Sequence, residues 1–270
     1  MSRPDNLPNF TSPPLIEVAV SVQFSTPSGY SDIYAREVWA LFESNFTPDQ
    51  EQPLLEPMFE VFGPQGQAGF HIGFRPPMGN RYWFSRPDKS ELIQFQRDRF
   101  IHNWRKVSAI NNEYPRFESI IEKFSNDIKK LNTYFNDKKW GQLAPNQCEL
   151  IYVNQMPLTD EQGGLLNKSF YFNKLDMSLI GDVDGFNINL LQTIAGEDGR
   201  PIGRLYIEAN TITDGAGNPL LNLNMTVRGA PTDTTQDAAI KFLNDARIKI
   251  VNTFTEFTSE SAHKKWGRTQ

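Results

Sequence analysis

Cysteine, histidine and long apolar runs are what this 270-residue chain has least of. Its single cysteine, Cys148, excludes an internal disulfide and any multi-cysteine metal site, and suits a reducing compartment. No local feature near Cys148 would lower its pKa, so it reads as a buried thiol. Three histidines, His71, His102 and His263, show neither an HExxH motif nor paired ligand spacing, so no metal site and no cofactor is expected. There is no GxxxxGK[ST] loop, no GxGxxG leading from a strand into a helix and no GxSxG. The glycines between Gly63 and Gly69 read as hairpin turns. The opening MSRPDNLPNFTSPP has no apolar core of signal-peptide length, and no later run approaches membrane-spanning length. A soluble, cytoplasmic protein with no membrane partner is expected.

What is present is material for a large core. Apolar residues make up 39% of the chain and include 20 Phe and 5 Trp, enough for one large or two fused domains. The net charge of −5 is unevenly spread. Residues 1–60 hold two basic side chains against nine acidic ones, whereas residues 81–106 hold seven basic against three acidic. A basic island in an acidic chain can focus an anionic ligand locally without making the protein a polyanion binder.

Read in order, Leu15 to Phe24 predicts a central strand and Ser31 to Phe46 a helix. Thr47 to Pro57, with three prolines, predicts a loop, and Phe59 to Phe74 short strands. A strand at Arg81–Phe84 precedes a hairpin at Glu91 to Lys106. Residues 115–139 carry apolar side chains at helical spacing. A second series follows: a strand at Asn146–Met156, an irregular part to Asp184 with a short helix, strands near 186–194, 202–209 and 220–228, and a helix over Thr232–Phe257. SPPLIEVAVSVQF (12–24) aligns without gaps on APNQCELIYVNQM (144–156), matching Pro13 with Pro145, Glu17 with Glu149 and Gln23 with Gln155. KKWG closes both series, at Lys138–Gly141 and Lys264–Gly267. The agreement points to an internal duplication, with halves at 12–143 and 144–267 fused in one unit. The expected class is α+β: two β-α-β4-α-like halves forming a curved antiparallel sheet with long helices on one face, resembling the TATA-binding-protein saddle or a helix-grip fold.

The hairpin ELIQFQRDRFIHNWRK alternates apolar and polar residues and breaks once, at Arg97-Asp98. With a two-residue loop there, Gln96 faces Arg99, Gln94 faces Ile101 and Leu92 faces Asn103. One face carries Ile93, Phe95, Phe100 and Trp104 and can be buried; His102 falls on this side. The other carries Gln94, Gln96, Arg99, Asn103 and Arg105, either a solvated surface or the floor of a polar groove. Asn146 and Asn154 join these residues if the later strand presents the same face, and Asn222 and Asn224 echo the amide pattern. The leading expectation is a non-enzymatic binding protein whose polar sheet face takes a small anionic ligand or a peptide-like or protein partner. One alternative is a hydrolase using the carboxylates Glu17 and Glu149, or His102 with Asp98. Another is an antitoxin-like neutraliser using the acidic 32–60 region. Nucleic acid is less favoured, because no continuous Lys/Arg stripe runs along the chain and the aromatics fall on the face that packs under the helices.

PPLIEVAVSVQF, FQRDRFIHNWR, YPRFESI, APNQCELIYVN and the terminal HKKWG together resemble a sporadically distributed prokaryotic family of uncharacterised proteins of about this length. The resemblance spans nearly the whole chain. Its most specific pieces are Gln96 with Asn103-Trp104-Arg105, Tyr114-Pro115, Asn146 to Glu149 with Tyr152 to Asn154, and His263 with Trp266-Gly267. It implies no activity, catalytic residue or cofactor. The patchy distribution is what an accessory or defence-linked module would show.

Overall fold

The computed structural model describes residues 3–62, 79–159, 170–172 and 185–270. His71, the glycines at 63–69 and most of the segment expected to hold a short helix before Asp184 lie outside the described residues. Within them the chain is α+β, a single open antiparallel sheet of nine strands with four α-helices. The strands are β1 (Leu15–Phe24), β2 (Thr47–Pro53), β3 (Asn80–Ser85), β4 (Glu91–Gln96), β5 (Arg99–Arg105), β6 (Pro145–Pro157), β7 (Asn187–Ala195), β8 (Pro201–Thr213) and β9 (Pro219–Gly229). The helices are α1 (Ala35–Ala40), α2 (Phe117–Asp137), α3 (Gln236–Phe257) and α4 (Glu260–Lys265). Sheet order is β2-β3-β4-β5-β1-β6-β9-β8-β7, which puts β1 and β6 side by side at the centre.

Three expected elements differ: no strand forms at 59–62, the rest of the 59–74 stretch lying outside the described residues, and two others differ for a local reason. The stretch at 47–53 pairs with β3 instead of looping out. It is the edge strand, where the prolines' missing N–H groups need no ladder partner. The helix expected to Phe46 is a 3-10 turn at Asp32–Tyr34 followed by the six residues of α1. Beyond it, i→i+3 bonds from Leu41 N to Val38 O and Phe42 N to Trp39 O tighten the chain, and the Trp39 indole donates to Phe46 O at 2.9 Å.

Strand alternation sorts side chains to two faces. On the helix side, paired positions run across the sheet as Ile93, His102, Val20, Leu150, Val227 and Leu205, every one of them buried. The amphipathic period of α2 buries Phe117, Ile120, Ile121, Phe124, Ile128, Leu131 and Phe135. Phe124 meets Phe100 at 5.9 Å between ring centroids, and Phe135 meets Phe24 at 5.9 Å. Beside it, α3 begins at an N-cap where Thr235 accepts from Ala238 N at 3.1 Å. Burial on its inner side includes Leu243 and Arg247, whereas Phe242 is only half-buried. The ring of Phe242 rests where β8 and β9 carry facing glycines, Gly203 and Gly229. A Cβ on Gly229 would lie 2.7 Å from the Gly203 Cα and 2.9 Å from the Phe242 ring. Gly229→Ala should therefore cost about 1–3 kcal/mol through overpacking, measurable as a lower urea midpoint at unchanged m-value.

Both KKWG glycines end their segments at positive φ, 91° at Gly141 and 64° at Gly267. Trp140 packs on Tyr30, Tyr34, Tyr134 and Phe135, and Trp266 on Phe10, Tyr171 and Phe254.

Candidate polar sheet face and its strap

The second sheet face is polar, and its hairpin end is buried. The hairpin register is as the alternation predicts, with Gln96 opposite Arg99, Gln94 opposite Ile101 and Leu92 opposite Asn103. The polar side chains are not solvated: Gln94, Gln96, Arg99 and Asn103 retain 7%, 1%, 6% and 3% of their exposure. The cover over Gln96 and Arg99 is residues 54–62, LLEPMFEVF, a strap without helix or strand that crosses the sheet from β4 to β8.

Most of the contacts run from sheet side chains to the strap's main chain. The Gln96 amide donates to Leu55 O at 2.9 Å and accepts from Leu55 N at 3.0 Å. Arg99 donates to Glu56 O at 3.1 Å and to Gln23 Oε1 at 2.7 Å. Gln23 in turn accepts from Met58 N at 2.9 Å. Arg204 donates to Val61 O at 3.1 Å. One strap side chain is gripped as well. Glu60, its side chain only 4% exposed, is held by Arg204 at 3.5 Å, Arg228 at 3.4 Å and the Tyr206 hydroxyl at 2.7 Å. Burial and the bond to Glu60 push the Tyr206 phenol above its ordinary pKa.

Away from the strap the same face is a polar network. Gln94 donates to Asn103 Oδ1 at 2.8 Å, Asn103 donates to Glu17 Oε1 at 2.6 Å, and Arg105 Nε donates to the same oxygen at 3.2 Å. Arg105 also lies 5.3 Å from the Trp83 ring centroid. Across the sheet centre, Arg228 Nε donates to Glu149 Oε2 at 2.6 Å. Ser21, Gln23, Met58, Arg99, Gln147, Cys148, Glu149 and Arg228 enclose a small pocket of about 200 Å³, open solvent included. Burial lowers the Arg99 pKa, with Glu149 and Asp98 opposing and Arg228 adding to it. The carbonyl oxygens of the Gln94 and Gln147 side chains are buried with no hydrogen-bond partner among the described residues.

Of the predicted positions, the structure gathers Gln94, Gln96, Arg99, Asn103 and Arg105 on this face. Asn146 joins at its margin by accepting from Gln23 Nε2 at 3.1 Å. Asn154 does not: it lies on the helix side with Tyr152, donating to Leu223 O at 3.1 Å. The pairing of Gln23 with Gln147 sets the parity of β6, so its odd-numbered residues share the hairpin's polar face. Asn222 and Asn224 do share that face, bonded to each other at 3.3 Å. Gln23, Arg204, Tyr206, Arg228 and Glu60 were not picked out from sequence. Gln23 alone carried a signal, as one of the aligned positions.

The suggested catalytic groupings are held apart. Glu149 faces Ser21, four residues along β1 from Glu17, a separation of about 13 Å. Each carboxylate instead has its own cross-strand arginine, Arg105 for Glu17 and Arg228 for Glu149. Asp98 accepts from Gln96 at 2.6 Å in the hairpin turn. His102 sits beneath α2, with Nδ1 2.9 Å from Asp127 and Nε2 3.4 Å from Glu91. Cys148 is buried, and burial pushes its thiol pKa up. Among the described residues no cluster of His, Cys, Asp and Glu could hold a metal ion, and no helix is long and apolar enough to cross a membrane. In comparisons with known proteins, no family model, no curated protein and no solved structure matches this chain.

Proposed function

We propose that this is a non-enzymatic binding protein whose polar sheet face takes an extended, acidic, peptide-like partner, and that the strap is the resident occupant of that groove. The observation that carries the reading is the kind of contact the strap makes. Gln96, Gln23, Arg99 and Arg204 bind its main chain, which any extended peptide could offer, while Arg204, Arg228 and Tyr206 read one carboxylate. A strap that served packing alone would bury its apolar side chains. This one buries Leu54 but leaves Met58, Phe59 and Val61 38%, 58% and 69% exposed. The unpartnered oxygens of Gln94 and Gln147 are acceptors left over for a longer or differently placed chain.

The test separates groove from strap. Replacing residues 54–61 by a Gly-Ser linker should leave a folded protein that captures a synthetic LLEPMFEV peptide in fluorescence anisotropy. The parent should bind that peptide far more weakly, because its tethered strap competes at an effective concentration of the order of millimolar. Adding Arg228→Leu to the linker variant should remove capture. A folded linker variant that ignores the peptide, or a linker variant that fails to fold, sinks the reading.

We also infer that the two halves are repeats joined edge to edge in a saddle resembling the TATA-binding-protein fold. Three features support this. The opening strand of each half lies at the sheet centre, each half's last strand pairs with its own first, and the Glu17–Arg105 pair has a counterpart in Glu149–Arg228. Under that arrangement the peptide groove spans both halves.

A further inference from the structure

On the helix side, segments distant in sequence enclose a cleft of about 520 Å³, open solvent included. The N-terminal segment forms one wall, the approach to α2 another and the inner side of α3 a third. Three guanidiniums line it: Arg3, Arg116 and Arg247. Arg247 is balanced by Glu118, 2.7 Å away. Arg3 and Arg116 have no carboxylate at ion-pair distance among the described residues. They rest on neutral acceptors, Arg3 on Leu7 O and Pro8 O, Arg116 on Asn9 Oδ1 and Phe10 O. The Arg3 Nε is buried without an acceptor. Burial and the charges of Arg247 and Arg116 depress the Arg3 pKa, against Glu118 and Tyr114. Three guanidiniums around the single carboxylate of Glu118 leave a net positive charge in a half-buried cleft, a cost that an anion would relieve.

The rest of the cleft is mostly apolar, with Phe10, Leu15, Phe117, Ile250, Val251 and Phe254 on its walls, beside Asn9, Asn154 and the hydroxyls of Tyr114 and Tyr152, which lie 3.2 Å apart. The backbone is also under strain here. Arg116 sits at φ 73°, ψ 151°, outside the regions open to most residues with a Cβ, at a cost of about 1–3 kcal/mol. It does so immediately before α2, and its side chain provides no cap to the first N–H groups of that helix. Strain at the one residue that turns a guanidinium back onto the N-terminal segment marks a position set by something other than helix formation.

We propose that this cleft binds an organic carboxylate with a compact apolar body, the carboxylate between Arg3 and Arg116 and the body against Phe10, Ile250 and Phe254. A carboxylate fits better than a phosphate because both guanidiniums already spend donors on carbonyls, leaving few for a third oxygen. The walls favour an aliphatic or aryl body over a small inorganic ion.

The experiment uses the full chain with octanoate, octanol and inorganic phosphate as probes, read by calorimetric titration and thermal unfolding. Octanoate should bind saturably and raise Tm, whereas octanol and phosphate should do neither. Arg3→Gln should weaken octanoate at least about tenfold, the loss of one charge-assisted contact. Val251→Trp, which keeps both arginines and fills the cleft, should abolish binding with an unchanged circular dichroism spectrum. Arg116→Gln should match Arg3→Gln; if it does not fold, the other two variants decide. An equal response to octanol or phosphate, no response to octanoate, or octanoate binding unchanged in Arg3→Gln and Val251→Trp overturns the proposal.

Discussion

Arg228→Leu should lower the unfolding free energy by about 1–4 kcal/mol, between the ranges for exposed and for fully buried ion pairs. Arg228 serves two carboxylates, Glu149 and Glu60, whose side chains are 16% and 4% exposed. Without it Glu149 loses its only cation within ion-pair distance among the described residues, and Glu60 keeps Arg204 alone. Urea titration of the single variant and of Arg228→Leu/Glu149→Gln distinguishes pairing from packing. The double variant should recover a large part of the loss, since an amide tolerates burial without a cation far better than a carboxylate. A double variant no more stable than the single one would show that the arginine acts through its stem. Because Arg228 also touches the strap, the single variant should open residues 54–62 to limited proteolysis.

The second large effect is a pH profile. His102 is 2% exposed between Asp127 and Glu91, and Glu91 is also bonded to Lys123. Burial disfavours the imidazolium, but the bonds to Asp127 and Glu91 outweigh it and raise the His102 pKa above its ordinary 6.5. Burial likewise works against the Glu91 carboxylate, and the bonds from His102 and Lys123 overcome it, holding its pKa down to about 2 from 4.5. A histidine raised on folding stabilises in full below about 6.5 and loses that contribution as pH climbs through the folded value. A carboxyl depressed on folding stabilises in full above about 4.5 and loses it as pH falls towards 2. The contribution of this cluster to Tm should therefore be full between about pH 4.5 and 6.5 and decline on both sides, an alkaline limb from His102 and an acid limb from Glu91. In His102→Gln the alkaline limb should flatten and the whole curve drop, as Asp127 and Glu91 lose their shared cation. An unchanged alkaline limb would place its origin in another group.

The hairpin shows how far local pattern reaches. Alternation on either side of Arg97-Asp98 specified the β4–β5 register pair by pair, because a one-residue slip would turn Ile93, Phe95 and Phe100 out of the core. It also placed His102 on the apolar side. It left open whether the amide face was wet, since that depends on residues 54–62, some forty positions away and without any period of their own. Asn154 shows the same limit from another direction. Alternation tells which residues of one strand share a face, but the relative parity of two strands is set only when they pair. Here Gln23 pairs with Gln147, so Asn154 turns to the helices.

By itself the sequence determined the α+β class, the two long helices, most of the strands and the apolar face on which they pack, because hydrophobic periodicity is a local property that one core satisfies. The tertiary structure alone decided that a strap covers Gln96 and Arg99 on the polar face, that Glu17 and Glu149 each answer to an arginine, that His102 meets Asp127, and that Arg3, Arg116 and Arg247 share a cleft. Each of these joins residues from separate elements through polar groups. Such groups accept many partners of comparable energy, so only the packed chain selects which of them meet.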